Sequence, residues 1–301
     1  MSHARTATFA LLASALLSGP ALADDWKWDP KAHRQPPKVG RRTFDDYVET
    51  TSNKVTVQAN GQVVQDQQES VTVAVRVIRE ILAVEGESAS QQRFTIEKWS
   101  LKLGDAPEDK SLEGKTVLVE GVGEARKATI EGTPEPQVSD AARQWIEKEI
   151  TSKGDEKDKK DEVFDPKEPV APDGEWTIDA AALAQELFQA EIDPAKSSAK
   201  GKLTNVRTEE GRRLGKVTVD CAVQLKAVPG APIEWSEGGL VKVLVDMEGC
   251  LEASADRLNG KIAMEVALAG KAQQQSPQGL VEISMDISMK RQGSAGEAPA
   301  K

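Results

Sequence analysis

The chain has 301 residues, with 39 Lys plus Arg against 49 Asp plus Glu, and a formal net charge of −10 at pH 7. This acidic balance disfavours nucleic acid and anionic membrane surfaces as partners, because both require a basic face on the protein. The acids and bases are interspersed, which is typical of a solvated surface. The length suffices for one large β-domain or two small domains.

Residues 1–23 have the pattern of a secretory signal peptide. Arg5 supplies the positive start, an apolar stretch runs over residues 7–17, and Ala21-Leu22-Ala23 forms a small-x-small cleavage site. The apolar stretch is shorter than the roughly 20 residues of a transmembrane helix. No Cys follows the cleavage site, so a lipid anchor of the bacterial lipoprotein type is not expected. We expect a mature protein without an integral membrane segment, exported to the periplasm or the extracellular space.

Residues 24–42 contain the Pro-rich sequence KAHRQPPK and are predicted to form an extended tether, with Trp26 and Trp28 exposed at its start. His33, within this tether, is the only histidine after the signal peptide. A hydrolase triad, a His-based zinc site or a histidine general base would each depend on this one residue. We therefore predict no catalytic residue, no metal ligand, no cofactor-binding residue and no cofactor, and expect the protein not to be an enzyme.

Residues 43–291 are predicted to form one β-rich domain. Alternation of apolar and polar residues, rich in Val, Ile and Thr, indicates half-buried antiparallel strands. The dipeptide Asn60-Gly61 is a strong hairpin signal between the first two. In the first half of the domain the predicted strands are 43–58, 62–82, 92–103, 115–120 and 125–131.

A helical and loop segment, residues 136–198, is predicted to join the two halves of the domain. Ser139 is the predicted N-cap of an amphipathic helix that carries Trp145 and Ile146 on its apolar face. The charged run GDEKDKKDE that follows lacks the ligand spacing of a calcium loop, so it is predicted to be an exposed loop. A second short helix is predicted to be capped by Asp179.

The strands resume in the second half. Turns are predicted at Glu210-Gly211, at Glu248-Gly249 and around residues 273–279, whereas Asn259-Gly260 fits either a turn or a bulge within one long strand. Residues 292–301 have the composition of a disordered tail. The predicted strands are 199–208, 213–227, 240–247, 250–271 and 279–291.

These elements predict a mainly β protein: a large curved antiparallel meander sheet of about ten strands, half-barrel-like, with two short helices in the middle of the chain. The sequence TVLVEGVGEA at 116–125 resembles KVLVDMEGCL at 242–251. The two halves, about 43–135 and 199–291, are therefore candidates for an internal duplication. Chance similarity between strand-turn-strand units is the alternative, and both explanations stay open.

Cys221 and Cys250 are the two cysteines of the chain, and the predicted compartment permits disulfides. Cys221 shares a strand face with Val219 and Val223, which suits a buried thiol. Cys250 follows Gly249 at a predicted tight turn, and bridging requires Cα atoms within roughly 7 Å of each other. A disulfide and two buried thiols are both compatible with the sequence.

A resemblance to known proteins depends on EPVAPDGEW at 168–176 and GLVKVLVDMEGCLEAS at 239–254. In its order of elements the chain resembles exported bacterial β-rich proteins of unknown function and, more distantly, the curved half-barrels of periplasmic lipoprotein carriers. In the carriers, one sheet face is an apolar cavity that helices close and that holds acyl chains. The resemblance implies that helices near 139–151 and 179–189 form a lid, and it transfers no site residue.

The leading functional hypothesis is a non-enzymatic exported protein that binds an apolar ligand or a partner protein on the concave face of the sheet. A structural or scaffolding protein of the cell envelope is the alternative. A carboxylate-based hydrolase is a third hypothesis, and it would need acids such as Asp45, Asp46, Glu209 or Glu210 to converge about 5 to 10 Å apart in one cleft. The chain has no GxSxG, P-loop, HExxH, CxxC or Rossmann motif. Its six tryptophans are interpreted as packing residues.

Overall fold

A computed structural model describes most of the chain. The predicted signal peptide, His33 and the charged run at 154–162 lie outside the described residues. The described residues are 26–30, 36–132, 137–151, 163–188, 190–209, 212–227, 234–251, 260–276 and 279–298.

The described residues contain eleven β-strands in a single open antiparallel sheet, which confirms the mainly β fold class. The strands are β1 (Arg42–Ala59), β2 (Gln62–Glu85), β3 (Ser88–Leu103), β4 (Thr116–Glu120), β5 (Lys127–Ile130), β6 (Glu175–Thr177), β7 (Ser198–Glu209), β8 (Arg212–Gln224), β9 (Trp235–Cys250), β10 (Gly260–Ser276) and β11 (Gly279–Glu297). Their spatial order is β5-β4-β3-β2-β1-β11-β10-β9-β8-β7-β6.

The first and last strands pair with each other in the centre of the sheet. The register of β1 with β11 is continuous from Thr43 opposite Glu297 to Ala59 opposite Val281. Each half of the chain therefore extends outward from this central pair. The sheet ends at β5 on one side and β6 on the other, and strands this short offer few unpaired backbone groups to other chains.

Two α-helices belong to the segment between β5 and β7. They are α1 (Asp140–Trp145), which continues as a π-helical turn (Ile146–Thr151), and α2 (Ala180–Phe188). Both lie within the segment that was predicted to be helical. No described helix has the length and apolar character needed to cross a membrane.

The tight turn between β1 and β2 forms as predicted. Asn60 and Gly61 have φ angles of 52° and 77°. Positive φ angles at both central residues are required by a two-residue type I′ hairpin turn. Ala59 is paired with Gln62 directly beside it. The turn between β7 and β8 lies outside the described residues, but Glu209 and Arg212 are paired across it.

Three predictions in the second half of the chain were wrong: one turn, one strand and part of the tail. Glu248 and Gly249 do not form a turn, because both are paired inside β9, which ends only at Cys250. The predicted strand 250–271 is therefore replaced by β10, which begins at Gly260. Residues 292–297 do not belong to a disordered tail, because β11 pairs with β1 as far as Glu297.

Part of the predicted tether is packed against the sheet domain. Trp28 is buried, and its backbone exchanges two hydrogen bonds with Val170, at 2.7 and 2.9 Å. Its ring lies 5.7 Å from that of Trp176, while Arg213 stacks on the partly buried Trp26 at 4.6 Å from the ring centroid. The expectation that both tryptophans are exposed was wrong, because apolar surface was available to cover them.

The N-cap of α1 forms as predicted and ties the helix to the loop after β3. The Ser139 hydroxyl accepts a hydrogen bond from the backbone N–H of Ala142 at 3.0 Å and donates one to the carboxylate of Asp109. The backbone N–H of Ser111 donates to the other oxygen of that carboxylate at 2.9 Å. Burial raises the pKa of Asp109, but the hydrogen bonds from Ser139 and Ser111 outweigh it and hold the pKa below its usual value.

We expect Ser139→Ala to lower the free energy of unfolding by about 1 kcal/mol, because the orphan N–H groups of the first helical turn lose their acceptor. Urea unfolding followed by circular dichroism measures the change. Ser288→Ala, on the helix-free face of β11, is the control and should shift stability by less than about 0.5 kcal/mol. Equal effects of the two substitutions would contradict the capping role.

We expect Asp109→Asn to destabilise the protein most strongly at neutral pH. Since the folded-state pKa is lowered, the ionised carboxylate contributes stability above the unfolded-state pKa of about 3.9, and that contribution is lost as the pH falls through the folded-state value. Unfolding free energies of both proteins from pH 7 to pH 3 should therefore converge at the acid end. A constant difference across this range would contradict the expectation.

Candidate functional site

Both helices lie on one face of the sheet, which we call the inner face. Residues directly opposite each other in neighbouring strands share a face. Tyr47 is opposite Val75 on β2 and Gly293 on β11, and the same row continues through Ile262 to Met247. The inner face is thus continuous across both halves of the sheet.

One flank of the inner face is filled by α1 and its π-helical turn. Ala142, Ile146 and Ile150 pack into a buried cluster with Trp99 and Tyr47. Trp99 is fully buried and meets the ring of Trp145 edge-on, at 6.2 Å between centroids. Burying aliphatic and aromatic side chains of this size contributes about 1.5 to 3 kcal/mol each, so this flank is hydrophobic core.

The other flank is filled by α2 and the segment around β6. Leu183 and Ala184 are fully buried against Cys221 and Val219 of β8. The Trp176 indole N–H donates to the carbonyl of Phe164 at 2.9 Å. The helical residues that face the sheet are packed directly onto it, so each helix fills its own flank.

Between the flanks, the inner face carries an apolar strip that lies outside both helix-covered clusters. We call it the central strip and define it as Val55 and Val57 of β1 with Ile283, Met285 and Met289 of β11. All five side chains are half-buried, and none belongs to either buried cluster or to the apolar residues packed against them. Met285 is directly opposite Val55, and Ile283 is opposite Val57.

Methionine is concentrated on the inner face around this strip. The chain has five methionines, and the four after Met1 all have inner-face positions: Met247, Met264, Met285 and Met289. Methionine is unbranched and polarisable, and it adapts to ligands of varied shape. A strip built from it suits a flexible apolar ligand better than a rigid one.

A charged pair lies at one end of the central strip. Arg291 follows Met289 on the inner face of β11, and its guanidinium carbon lies 3.6 Å from the centroid of the Tyr47 ring. One guanidinium nitrogen is 3.7 Å from the carboxylate of Glu49. The side chains of Arg291 and Glu49 are 22% and 29% exposed, so solvent and ligands reach both. Burial raises the pKa of Tyr47, although the charge of Arg291 acts in the opposite direction.

Asn53 adds a polar point beside the strip. It lies between Thr51 and Val55 on β1 and is opposite Ile287 of β11. Its Oδ1 atom is buried and has no hydrogen-bond partner within the described structure. A buried acceptor without a donor is rare in folded proteins, and because this oxygen is itself inaccessible it does not form part of the strip's surface.

The outer face carries a shallow cleft of a different character. Its volume is about 270 Å³, and its lining includes Lys216, Asp246, Glu248 and Lys261. The Lys216 ammonium and the Asp246 carboxylate are 3.1 Å apart, and the hydroxyl of Thr218 donates to Asp246 at 2.9 Å. A charged lining of this kind does not suit an apolar chain.

The predicted carboxylate pairs do not converge. Asp45 and Asp46 are consecutive strand residues and point to opposite faces; Asp46 is paired with Arg76 at 3.0 Å. Glu209 is paired with Arg207 at 2.6 Å, and Glu210 lies outside the described residues. Within the described ranges no three His, Cys, Asp or Glu side chains are grouped so that they could hold a metal ion.

The acids with perturbed pKa values are shifted away from general-acid behaviour. A hydrogen bond from Ser100 is the largest cause of the lowered pKa of Glu108. For Glu175, the hydrogen bond from Lys202 has the same effect. A general acid at neutral pH needs the opposite shift.

The two cysteines are free, buried thiols that do not face each other. Cys221 is opposite Val243, whereas Cys250 is opposite Leu214 on β8. Seven residues of strand, about 23 Å, therefore separate the two positions, far beyond disulfide reach. Burial, with a smaller contribution from the charge of Asp220, raises the pKa of the Cys221 thiol to about 11.

No protein-family model matches this chain, and no curated protein matches it either. The resemblance to exported β-rich proteins and to lipoprotein carriers therefore stays a prediction, as does the duplication of the two halves. The sequence alone did not single out Tyr47, Glu49 or Arg291. The available signal was the run from Val281 to Arg291, in which every second residue is apolar until Arg291.

We expect both thiols to be unreactive toward a disulfide-exchange reagent in the native protein at pH 8, because both are buried and thiolate is the reactive form. In denaturant, without added reductant, two thiols per chain should react, and Cys221→Ala should leave one. Loss of the thiols in unreduced, denatured protein would show that a bond forms despite the separation.

Proposed function

We propose that the protein is an exported, non-enzymatic binding protein whose inner sheet face takes up an elongated apolar ligand, an acyl chain. The observation that carries this proposal is the central strip, a half-buried apolar surface that belongs to neither of the two flanks filled by helices. Export is proposed from the signal-peptide pattern of residues 1–23. The resemblance to periplasmic lipoprotein carriers agrees with this class of ligand.

The position of the strip defines how a ligand would lie. Ile283, Met285 and Met289 all lie on the inner side of β11, so the strip runs parallel to the strand. Ile287, between Met285 and Met289, packs against the cluster under α2. Transfer of each methylene group from water onto apolar surface contributes about 0.8 kcal/mol, and part of this is offset by ordering the ligand. Affinity should therefore rise with chain length until the chain exceeds the strip.

A second candidate function, an envelope scaffold, is favoured by one separate observation. Residues Gln62–Glu69 of β2 are paired only with β1, because β3 begins to pair with β2 at Val71 and the N–H of Gly104 donates to the carbonyl of Ser70. Their side chains are all exposed. An open strand edge of this length can accept a strand of a partner protein.

Purification of the full chain from its native envelope separates the two candidates. Bound lipid identified by mass spectrometry of an organic extract supports the ligand-binding function. Retention of a partner protein in place of lipid, with loss of that partner when Gln67 is replaced by Pro, supports the scaffold.

We expect Met289→Gln to weaken binding of a long-chain fatty alcohol with a terminal pyrene about tenfold, or about 1.4 kcal/mol, because a polar amide replaces an apolar contact in the strip. Fluorescence titration of the purified protein measures the affinity. Ser288→Gln, the neighbouring residue on the outer face, is the matched control and should bind as the wild type does. Failure of the wild type to bind either this alcohol or the fatty acid of the same length would overturn the proposed function.

A further inference from the structure

Arg291 is the single cation among the inner-face positions of β1, β10 and β11 within the described residues. The other inner-face positions of β11 from Val281 to Ala295 are apolar or glycine. A guanidinium on such a surface is partly desolvated, so its interaction with an anion is stronger than it would be in water. Because Arg291 lies at the end of the central strip, it favours the orientation in which the anionic end of a ligand lies beside it.

The guanidinium of Arg291 is oriented by its neighbours, but these neighbours do not use all of its hydrogen-bond donors. The Tyr47 ring supports its plane at 3.6 Å, which restricts its orientation. Its ion pair with Glu49, at 3.7 Å, is longer than a hydrogen bond. Arginine has five N–H donors arranged to bind a carboxylate with two parallel hydrogen bonds, so the side chain retains donors for a ligand.

We propose that Arg291 binds the carboxylate of a single-chain fatty acid whose hydrocarbon chain lies along the central strip. This inference rests on the proposed function and specifies its ligand class.

The dimensions of the strip favour one chain over two. The strip consists of side chains from two adjacent strands, whose axes are about 4.8 Å apart, so it is about one acyl chain wide. From Arg291 to Ile283 the strand advances by eight residues, or about 26 Å, which accommodates an extended palmitate. A two-chain phospholipid would need a wider apolar surface than β1 and β11 provide.

Glu49 competes with the ligand for the same guanidinium. The Glu49 carboxylate is the one anionic partner of Arg291 in the described chain, and an incoming carboxylate must share or displace it. Neutralising Glu49 should therefore tighten fatty-acid binding, whereas neutralising Arg291 should weaken it. Opposite effects from the two halves of one ion pair distinguish head-group binding from a structural role of the pair.

The test compares a pyrene-labelled fatty acid with the fatty alcohol of the same length. For the acid, we expect Arg291→Gln to weaken binding by about tenfold or more, the range for hydrogen bonds to charged groups, and Glu49→Gln to strengthen it severalfold. For the alcohol, whose hydroxyl is uncharged and forms only a weaker hydrogen bond with the guanidinium, both variants should change the affinity much less than they change it for the acid. Lys290→Gln, which removes an outer-face cation of the same strand, is the control and should change neither affinity.

Each outcome is decisive. Equal affinity of the wild type for acid and alcohol, unaffected by Arg291→Gln, would overturn the head-group assignment while leaving the proposed function intact. Binding of neither probe would refute the proposed function itself. If Arg291→Gln does not fold, judged by its thermal unfolding, then Glu49→Gln decides, and unchanged affinity for the acid in that variant overturns the assignment. Tighter binding of a two-chain anionic phospholipid than of the fatty acid also overturns it.

Discussion

The pairing of β1 with β11 is the interaction on which the rest of the architecture depends. It joins the two halves of the chain into a single sheet and directs both helix-bearing flanks to the same face. Because the helices belong to the segment near the two sheet edges, between β5 and β7, they pack over the outer strands. Parts of the two central strands lie outside both helix-covered clusters, so the candidate site is a consequence of the topology.

The ion pair of Glu49 and Arg291 is difficult to explain by stability alone. Half-buried ion pairs lose much of their Coulomb attraction to desolvation, and apolar replacements of similar volume are often neutral or stabilising. The other inner-face positions of β11 from Val281 to Ala295 are apolar or glycine, and a methionine or leucine at position 291 would extend this row without interruption. A charge retained at the end of such a strip is better explained by recognition of something outside the chain.

Local patterns predicted most of the fold. Alternation located ten of the strands, and the turn at Asn60-Gly61 and the N-cap at Ser139 formed as their chemistry required. β6 was missed because three residues are too few to show a period. Gly249 suggested a turn because glycine weakens strand patterns. In the structure it lies within β9 and is paired with Gly215 of β8. The stacking of Arg291 on Tyr47 has no local signature, since it arises only when the two ends of the chain meet.

The central position of β1 also has a kinetic consequence. As the chain is synthesised from its N-terminal end, β1 can pair with β2 at once, but its other edge must wait for β11, the last of the eleven described strands. During that interval a long strand with an apolar face has an unpaired edge, and such edges pair readily with other chains. Because a high sequence separation between partners slows folding, this edge stays unpaired until the C-terminal strand is available.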